Sequence, residues 1–269
     1  MKKRLDVFLH ERGYAESRSM ARAAVMEGRV SVNGCFAVKP GTSVSGDEEI
    51  AVEHRGREYV SRGGVKLEHA LDAFSIDVEG RVVLDVGSST GGFTDCVLGR
   101  GAGAVIALDV GRGQLHWKLR NDPRVTVMER YNARRLTPGD LEVRPHIATV
   151  DVSFISLTKV LGPVWDVLDP GGEIVALLKP QFEAPRRQVG KGGVVRDPLV
   201  HARLIGELAQ WLGKQGMVMK QVTGSPLIGP KGNLEFFTHL VGRPADGIGP
   251  RDIEREVEKA HLGGGKASR

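Results

Sequence analysis

The sequence predicts an α/β protein: a mostly parallel sheet with helices on both faces and an antiparallel hairpin at one edge, preceded by a small α+β module. Three observations predict it. From Val65 onward seven apolar, β-forming runs recur: "RVVLDV", "AVIALDV", "RVTVMER", "HIATVDVSF", "EIVALLK", "MVMKQVTGS" and "EFFTHLV". Helical patterns separate the earlier runs, at about 92–99, 112–120, 155–168 and 198–214, and strands that alternate with helices build parallel sheets. The last two runs have no clear helix between them, which predicts an antiparallel pair.

The first 60 or so residues differ in character. "RLDVFLHERGY" reads as a short helix with Leu5, Phe8 and Leu9 on one face. A second helix opens at Ser17 or Ser19 and stops at Gly28, where glycine relieves the C-terminal backbone. A strand "RVSVNG" follows, and Asn33-Gly34 signals a hairpin turn. "VKPGTSVSGDEEIAV" reads as two short strands around a polar loop, and "EHRGREYVSRGG" as a linker. After Gly242 a Gly/Pro-rich tail holds one helix, "PRDIEREVEKAHL", with Ile253 and Val257 spaced to dock on the main domain, then a flexible end. The expected domains are therefore 1–60, 61–242 and a C-terminal segment, 243–269.

Composition narrows the function classes. The chain has 269 residues, 41% hydrophobic and 26% charged, as in ordinary globular proteins. A formal charge of +5 fits a polyanionic partner without naming one. Cys35 and Cys96 stand in unrelated contexts, so neither a disulfide framework nor a metal spacing follows. No run approaches the ~18 apolar residues of a membrane span, and the basic N-terminus leads into no long apolar segment. A cytoplasmic location is expected.

The turn after the first long strand, "LDVGSSTGGFTD", raises the question of a ligand. Gly87-Ser88-Ser89-Thr90-Gly91-Gly92 fits neither G-x-G-x-x-G nor G-x-x-x-x-G-K-[ST]. What remains is a strand-to-helix turn after Asp85, with Gly87 allowing close backbone approach and Gly91 and Gly92 allowing positive φ or tight packing, up to Phe93. A second acid, Asp109, closes the next strand, beside the first at the crevice of a doubly wound sheet. An acid there accepts two ribose hydroxyls. An adenosine with no pyrophosphate to cradle points to S-adenosyl-L-methionine; the same residues also permit a tight turn with no ligand.

Four more charged residues are informative when placed on the sheet. Lys66 lies near the start of the helix before the first long strand, Asp151 ends "IATVD", Lys179 ends "EIVALLK", and Glu235 opens the last run. A lysine closing an apolar strand is costly unless paired or functional. One such residue would be read as a solvated strand end. Asp151 and Lys179 on adjacent strands make chance less attractive.

Together "SRGGVKL", "LDVGSSTGGFTD", "TVDVSFISL", "LLKPQFE" and "GNLEFF" resemble the TlyA-type (hemolysin A-like) ribosomal RNA 2′-O-methyltransferases and their wider FtsJ-like kin. The resemblance covers nearly the whole chain, since the first segment is similar to an S4 RNA-binding domain. It implies a Rossmann-like seven-stranded methyltransferase sheet, a Lys66-Asp151-Lys179-Glu235 tetrad, and S-adenosyl-L-methionine held by Asp85 to Phe93, Asp109 and Asn132. "REYV" stands where some relatives carry a tryptophan-containing linker tetrapeptide. The implied partners are ribosomal RNA or ribosomal subunits, with no membrane and no metal. The implied target is a cytidine 2′-hydroxyl in 16S RNA, 23S RNA or both.

In that chemistry a ribose hydroxyl loses its proton as it attacks a sulfonium methyl in line. Lys179 is the candidate base. It must be neutral, which asks its pKa to fall from about 10.4; burial and Lys66 push it down and Asp151 pushes it up. Lys66 and Glu235 steer the ribose. For RNA, Arg18 and Arg22 share a helix face, Arg29 extends the stripe, and Lys2, Lys3 and Arg4 add charge.

Rival readings are weaker. A base N-methyltransferase wants an Asn/Asp-Pro-Pro-aromatic turn where "DVSF" stands, and a C5 enzyme wants a cysteine at a catalytic strand end. A membrane-active hemolysin needs lipid-facing elements that are not evident. A non-catalytic RNA-binding or ribosome assembly factor would have no need of the tetrad.

Overall fold

The computed structural model describes residues 3–15, 17–26, 30–32, 35–36, 39–46, 48–52, 59–229 and 231–264. The chain divides into two compact units, Met1–Glu58 and Tyr59–Arg269.

The first unit contains β1 (Lys3–Arg4), α1 (Leu5–Glu11), α2 (Arg18–Met26), β2 (Val30–Val32), β3 (Cys35–Phe36), β4 (Ser43–Val44) and β5 (Ile50–Val52). Leu5, Phe8 and Leu9 of α1 meet Ala21, Ala24 and Val25 of α2 over Val30 and Val44. The i, i+3, i+4 spacing on both helices makes this core. β1 was not legible, because two cations carry no apolar alternation; it pairs antiparallel with β4. The two strands expected around the polar loop join different sheets, β4 with β1 and β5 with β2. The Glu48 carboxylate accepts the amides of Ser45 (2.9 Å) and Gly46 (2.9 Å), turning the chain between them. Gly28, Asn33 and Gly34 lie outside the described residues.

The second unit runs α3 (Gly63–Phe74), β6 (Val82–Val86), α4 (Gly92–Gly99), β7 (Ala104–Asp109), α5 (Trp117–Arg120), β8 (Val125–Glu129), β9 (Ile147–Val150), α6 (Leu161–Val167), β10 (Glu173–Leu178), α7 (Pro180–Glu183), α8 (Pro198–Lys214), β11 (Met217–Gly224), β12 (Phe236–Gly242) and α9 (Pro250–Gly264). Its seven strands lie in the order β11-β12-β10-β9-β6-β7-β8. β6 to β10 are parallel, while β12 is antiparallel to β10 and to β11. The expected edge hairpin is present, with β12 inserted next to β10. Parallel strands bury both faces, which explains their unbroken apolar runs. Leu84, Val86 and Ala148 face one core; Val83, Val105 and Val175 face the other.

Two predicted helices are shorter than expected. In 112–120 only Trp117–Arg120 is helical. The preceding loop amides are taken by carboxylates instead, Gly111 N by Asp109 (2.6 Å) and Gly113 N by Glu129 (2.8 Å). In 155–168 a 3₁₀ turn, Leu157–Lys159, precedes α6. Pro163 has no N–H and would strike the carbonyl four residues back, so one continuous helix is excluded.

β6 has β7 on one side and β9 on the other, so the chain leaving β6 toward β7 and the chain leaving β9 toward β10 run in opposite directions. That switch point opens a crevice at the strand ends. At the far edge α9 packs on α8 and β11 through Ile253 and Val257. His201 Nδ1 meets His261 Nε2 at 3.0 Å, and its Nε2 meets the Val195 carbonyl at 3.1 Å. Burial pushes the His201 pKa down to about 4 and that of His261 below its usual value. Both folded pKa values lie below the unfolded value, so this stabilisation is complete above pH ~6.5 and is lost as pH falls toward 4. Amide protection in α9 is therefore expected to drop between pH 6.5 and 4 while β6 and β9 stay protected. A uniform change across all three would contradict the account.

Candidate active site

The turn after β6 is built from its own hydrogen bonds. Gly87 N and Ser88 N donate to the Leu108 carbonyl (2.8 and 3.1 Å), Gly91 N to Ser88 O (2.7 Å), and Ser89 N to Asp109 Oδ2 (2.9 Å). Gly87 has φ +85°, and a Cβ there would fall 2.5 Å from the Asp151 carbonyl. At Gly91, φ +97°, a Cβ would overlap Leu119. At Gly92 it would overlap Ser61 Oγ. The three glycines thus let the turn lie against β9's exit, α5 and the segment before α3.

Two cavities flank this turn. The larger, about 670 Å³, has apolar walls from Val86, Leu108, Ala133 and Ile155, with Asp109, Gln114 and Asn132 among its polar groups. The smaller, about 180 Å³, is lined by Ser61, Lys66, Ser88, Thr90, Gly92 and Phe93, among others. Both are lined by Gly87, Ser89 and Asp151. Asn132 Oδ1 accepts the Arg134 amide (3.1 Å), leaving its Nδ2 directed to no partner among the described residues.

Of the expected cofactor residues, Asp85 and Gly91 line neither cavity. Asp85 is fully buried, with its carboxylate accepting from Thr94 Oγ1 (2.7 Å) and Thr149 Oγ1 (3.0 Å). Burial pushes its pKa up to about 6, against the pull of those two hydroxyls. The residue is a buttress that ties β6, α4 and β9 together beneath the turn. Its expected contact with a cofactor is therefore not a direct lining of either cavity; what the structure shows is support of the turn from below.

The four charges, Lys66 on α3 and the other three at strand ends, form two ion pairs. Lys66 Nζ reaches Glu235 Oε2 at 2.6 Å, and Lys179 Nζ reaches Asp151 Oδ1 at 2.6 Å and donates to Ser153 Oγ at 2.8 Å. Sheet register explains the gathering: Leu178 pairs with Phe236 across antiparallel strands, so the next step sets Lys179 opposite Glu235. Lys66 and Asp151 line the small cavity; Lys179 and Glu235 do not, and each is the partner of a residue that does.

Several residues escaped the sequence reading. Phe154 has φ +64°, lines the large cavity and is 90% exposed, with its ring centroid 5.0 Å from that of Phe182. An exposed aromatic in the left-handed region is a strained arrangement that surrounding structure must hold. Glu183 supplies the hold: its carboxylate accepts from Ser156 Oγ (2.6 Å) and Leu157 N (2.7 Å), clamping the chain after Asp151 to the chain after Lys179. Its pKa is raised by burial. The aromatic in "DVSF" was the available signal. Of the "REYV" linker residues, Tyr59 and Val60 pack beside the site, while Arg57 and Glu58 lie outside the described residues. Val60 N donates to Asp95 Oδ2 (2.9 Å) in α4, and the Tyr59 ring occupies the space a side chain at Gly64 would need.

In the first unit Lys3, Arg4, Arg18 and Arg22 are exposed; Lys2 and Arg29 lie outside the described residues. Arg4 and Arg18 both contact the Asp6 carboxylate (3.0 and 3.3 Å), and the hydrogen bonds from Arg4 hold that acid below its usual pKa. Arg4 and Arg22 line a cavity of about 380 Å³ with Lys39, a cation the sequence reading missed.

The fold and site define an α/β methyltransferase: an open sheet with a non-phosphate glycine turn, an acid ending the second strand and a ligand crevice between them. Residues 59–241 match the FtsJ-like methyltransferase model and residues 3–50 the S4 domain model. The chain belongs to the FtsJ-like methyltransferase family. A Bacillus subtilis protein provisionally named an rRNA methyltransferase, YqxC, is 47% identical over 97% of this chain and 94% of its own. The 16S/23S rRNA (cytidine-2′-O)-methyltransferase TlyA of Mycobacterium tuberculosis is 45% identical over 96% of each chain. A solved structure from Streptococcus thermophilus, provisionally named a hemolysin, is 41% identical with TM-score 0.77, covering 99% of this chain and 98% of that one.

S-Adenosyl-L-methionine is the cofactor of this enzyme class, and the residues present fit it. The large cavity offers apolar walls for a base, the Asp109 carboxylate for a ribose and the Asn132 amide at its rim. The small one offers hydroxyls and backbone for a polar amino-acid tail.

Asp85 provides a check on the turn's foundation. Its folded pKa lies above its unfolded value, so the native state binds the proton more tightly and loses stability as pH rises from about 4 to 6. Asp85→Asn should lack that loss. The stability difference between variant and parent is expected to shift toward the variant by on the order of 2 kcal/mol across this window. Parallel denaturation profiles would contradict the burial account.

Proposed function

We propose that the protein methylates the 2′-oxygen of a cytidine ribose in ribosomal RNA, in 16S RNA, 23S RNA or both. The observation that carries this is the pair of ion pairs, Lys66–Glu235 and Lys179–Asp151, each with one member lining the small cavity and Asp151 lining both. The named activity of the TlyA relative supports the substrate, and the S4 match supports an RNA partner.

When bound, S-adenosyl-L-methionine supplies an electrophilic methyl whose leaving group is a neutral thioether. The ribose oxygen then needs alignment and a proton acceptor. Lys66, held by Glu235, orients the ribose at the small cavity. Lys179 in its neutral form takes the hydroxyl proton at Nζ as the new oxygen–carbon bond forms and the sulfur–carbon bond breaks. Asp151 and Ser153 fix that nitrogen in place and stabilise the ammonium it becomes. The Phe154 ring, presented at the cavity mouth, stacks on the target base; such stacking is worth about 1–3 kcal/mol per base. Cys96 is buried with its thiol pushed up to about 12 by burial, so it is no nucleophile.

Incubation of the protein with methyl-labelled cofactor and purified ribosomal subunits is expected to label ribosomal RNA; label absent from RNA would overturn the reading. Lys179→Ala should lower single-turnover transfer by about 10²–10⁴-fold, the usual scale of general-base catalysis, with cofactor affinity unchanged. A near-normal rate would remove Lys179 from the role. Phe154→Ala should raise the KM for RNA about 10-fold, in keeping with one lost stack; an unchanged KM would count against the platform.

A further inference from the structure

One charged surface of the second unit has no part in the chemistry above. The stretch 184–196, "APRRQVGKGGVVR", carries four cations and no acid, and the turn before Glu235 adds Lys231. Arg186, Arg187, Lys191, Arg196 and Lys231 are all exposed. None has an ion-pair partner among the described residues, whereas Arg100, Arg124 and Arg203 each rest against a carboxylate.

The two loops form one built ridge. Buried Val194 and Val195 pin the first loop, and Gly190 N donates back to Val194 O (3.0 Å). Asn233 joins the loops: its Oδ1 accepts Val195 N (3.0 Å) and its Nδ2 donates to Gly193 O (2.9 Å). Arg196 lies beside Gly190 and Lys231 beside Gly193, at 4.0 Å or less from where a Cβ would sit. Gly190, Gly192 and Gly193 leave Lys191 as the one side chain at the tip, so a polyanion's backbone can approach the cations closely. The ridge springs from the chain just past Lys179 and just before Glu235, and Ile228 of the second loop lines the small cavity.

We propose that this ridge binds the phosphate backbone of the folded RNA substrate, so that the methyltransferase unit grips RNA itself, next to the reacting ribose. The proposal rests on the reading that RNA is the substrate. An anionic bilayer fits less well, because membrane docking buries apolar side chains beside the cations, and here Val194 and Val195 face inward.

Each cation that neutralises a phosphate releases a counterion, so salt dependence reports the contacts. The test uses the full chain and in vitro transcribed 16S and 23S RNA, with Kd measured over a series of KCl concentrations. For Arg186→Gln/Arg187→Gln/Lys191→Gln the slope of log Kd against log salt is expected to fall by about 2–3, at roughly 0.7–0.9 per lost contact. Kd near physiological salt should rise about 10–100-fold on the same basis, and KM for RNA should rise with it. Cofactor affinity should match the parent, which also checks folding, and Arg186→Lys/Arg187→Lys should keep the slope. An unchanged slope in the glutamine variant overturns the ridge. So does a glutamine variant that loses binding to phosphatidylserine vesicles but keeps RNA binding. Binding is read without turnover. If the parent transfers no methyl to ribosomal RNA, the functional reading fails; if it does and the slope is unmoved, the ridge alone fails.

Discussion

Two lysines cannot sit at the carboxyl edge of an apolar sheet without counter-charges, and the rest of this site follows from how they are matched. Glu235 is almost fully buried and meets Lys66 at 2.6 Å; Asp151 meets Lys179 at the same distance. Removing one member of such a pair strands the other in low dielectric, which commonly costs more than the pair contributes as a whole. The pairs therefore act less as glue than as a specification. They fix where α3 and β12 begin and where β9 and β10 end, and so where a ligand finds charge.

The glycine turn depends on the same economy of buried polar groups. Asp85 and Asp109 are both acids at parallel strand ends, yet they do different jobs. Asp85 meets two threonine hydroxyls below the turn and carries its frame; Asp109 accepts Ser89 N and Gly111 N and still faces the cavity. Glu183 repeats the device on the other side of the cleft, binding the loop after β9 to the loop after β10. Strain at Phe154 persists because that clamp over-determines it.

Much of the fold was legible because short-range signals agreed with long-range packing. The 92–99 and 198–214 helices appear as Gly92–Gly99 and Pro198–Lys214, the latter opened by the Asp197 side chain accepting Leu199 N. The seven apolar runs became the seven strands of one sheet. The failures have local causes: Asp109 and Glu129 took backbone amides before α5, and Pro163, within α6, barred the helical bond back to Lys159. At the site, residue types were readable but partners were not. Lys66 and Glu235 lie 169 positions apart, and no local pattern says which acid a lysine will meet. Nor could spacing separate Asp85 from Asp109, since the difference lies in Thr94 and in Thr149, a residue of the neighbouring strand.

The central claim is that these paired charges converge on a ribose hydroxyl. Alkaline hydrolysis of RNA carrying the transferred, labelled methyl tests it most directly, because cleavage needs a free 2′-oxygen beside the phosphodiester. A methyl on that oxygen blocks the cut, so the label is expected in an alkali-resistant dinucleotide. Label recovered in a methylated mononucleotide would place the methyl on a base and contradict the account.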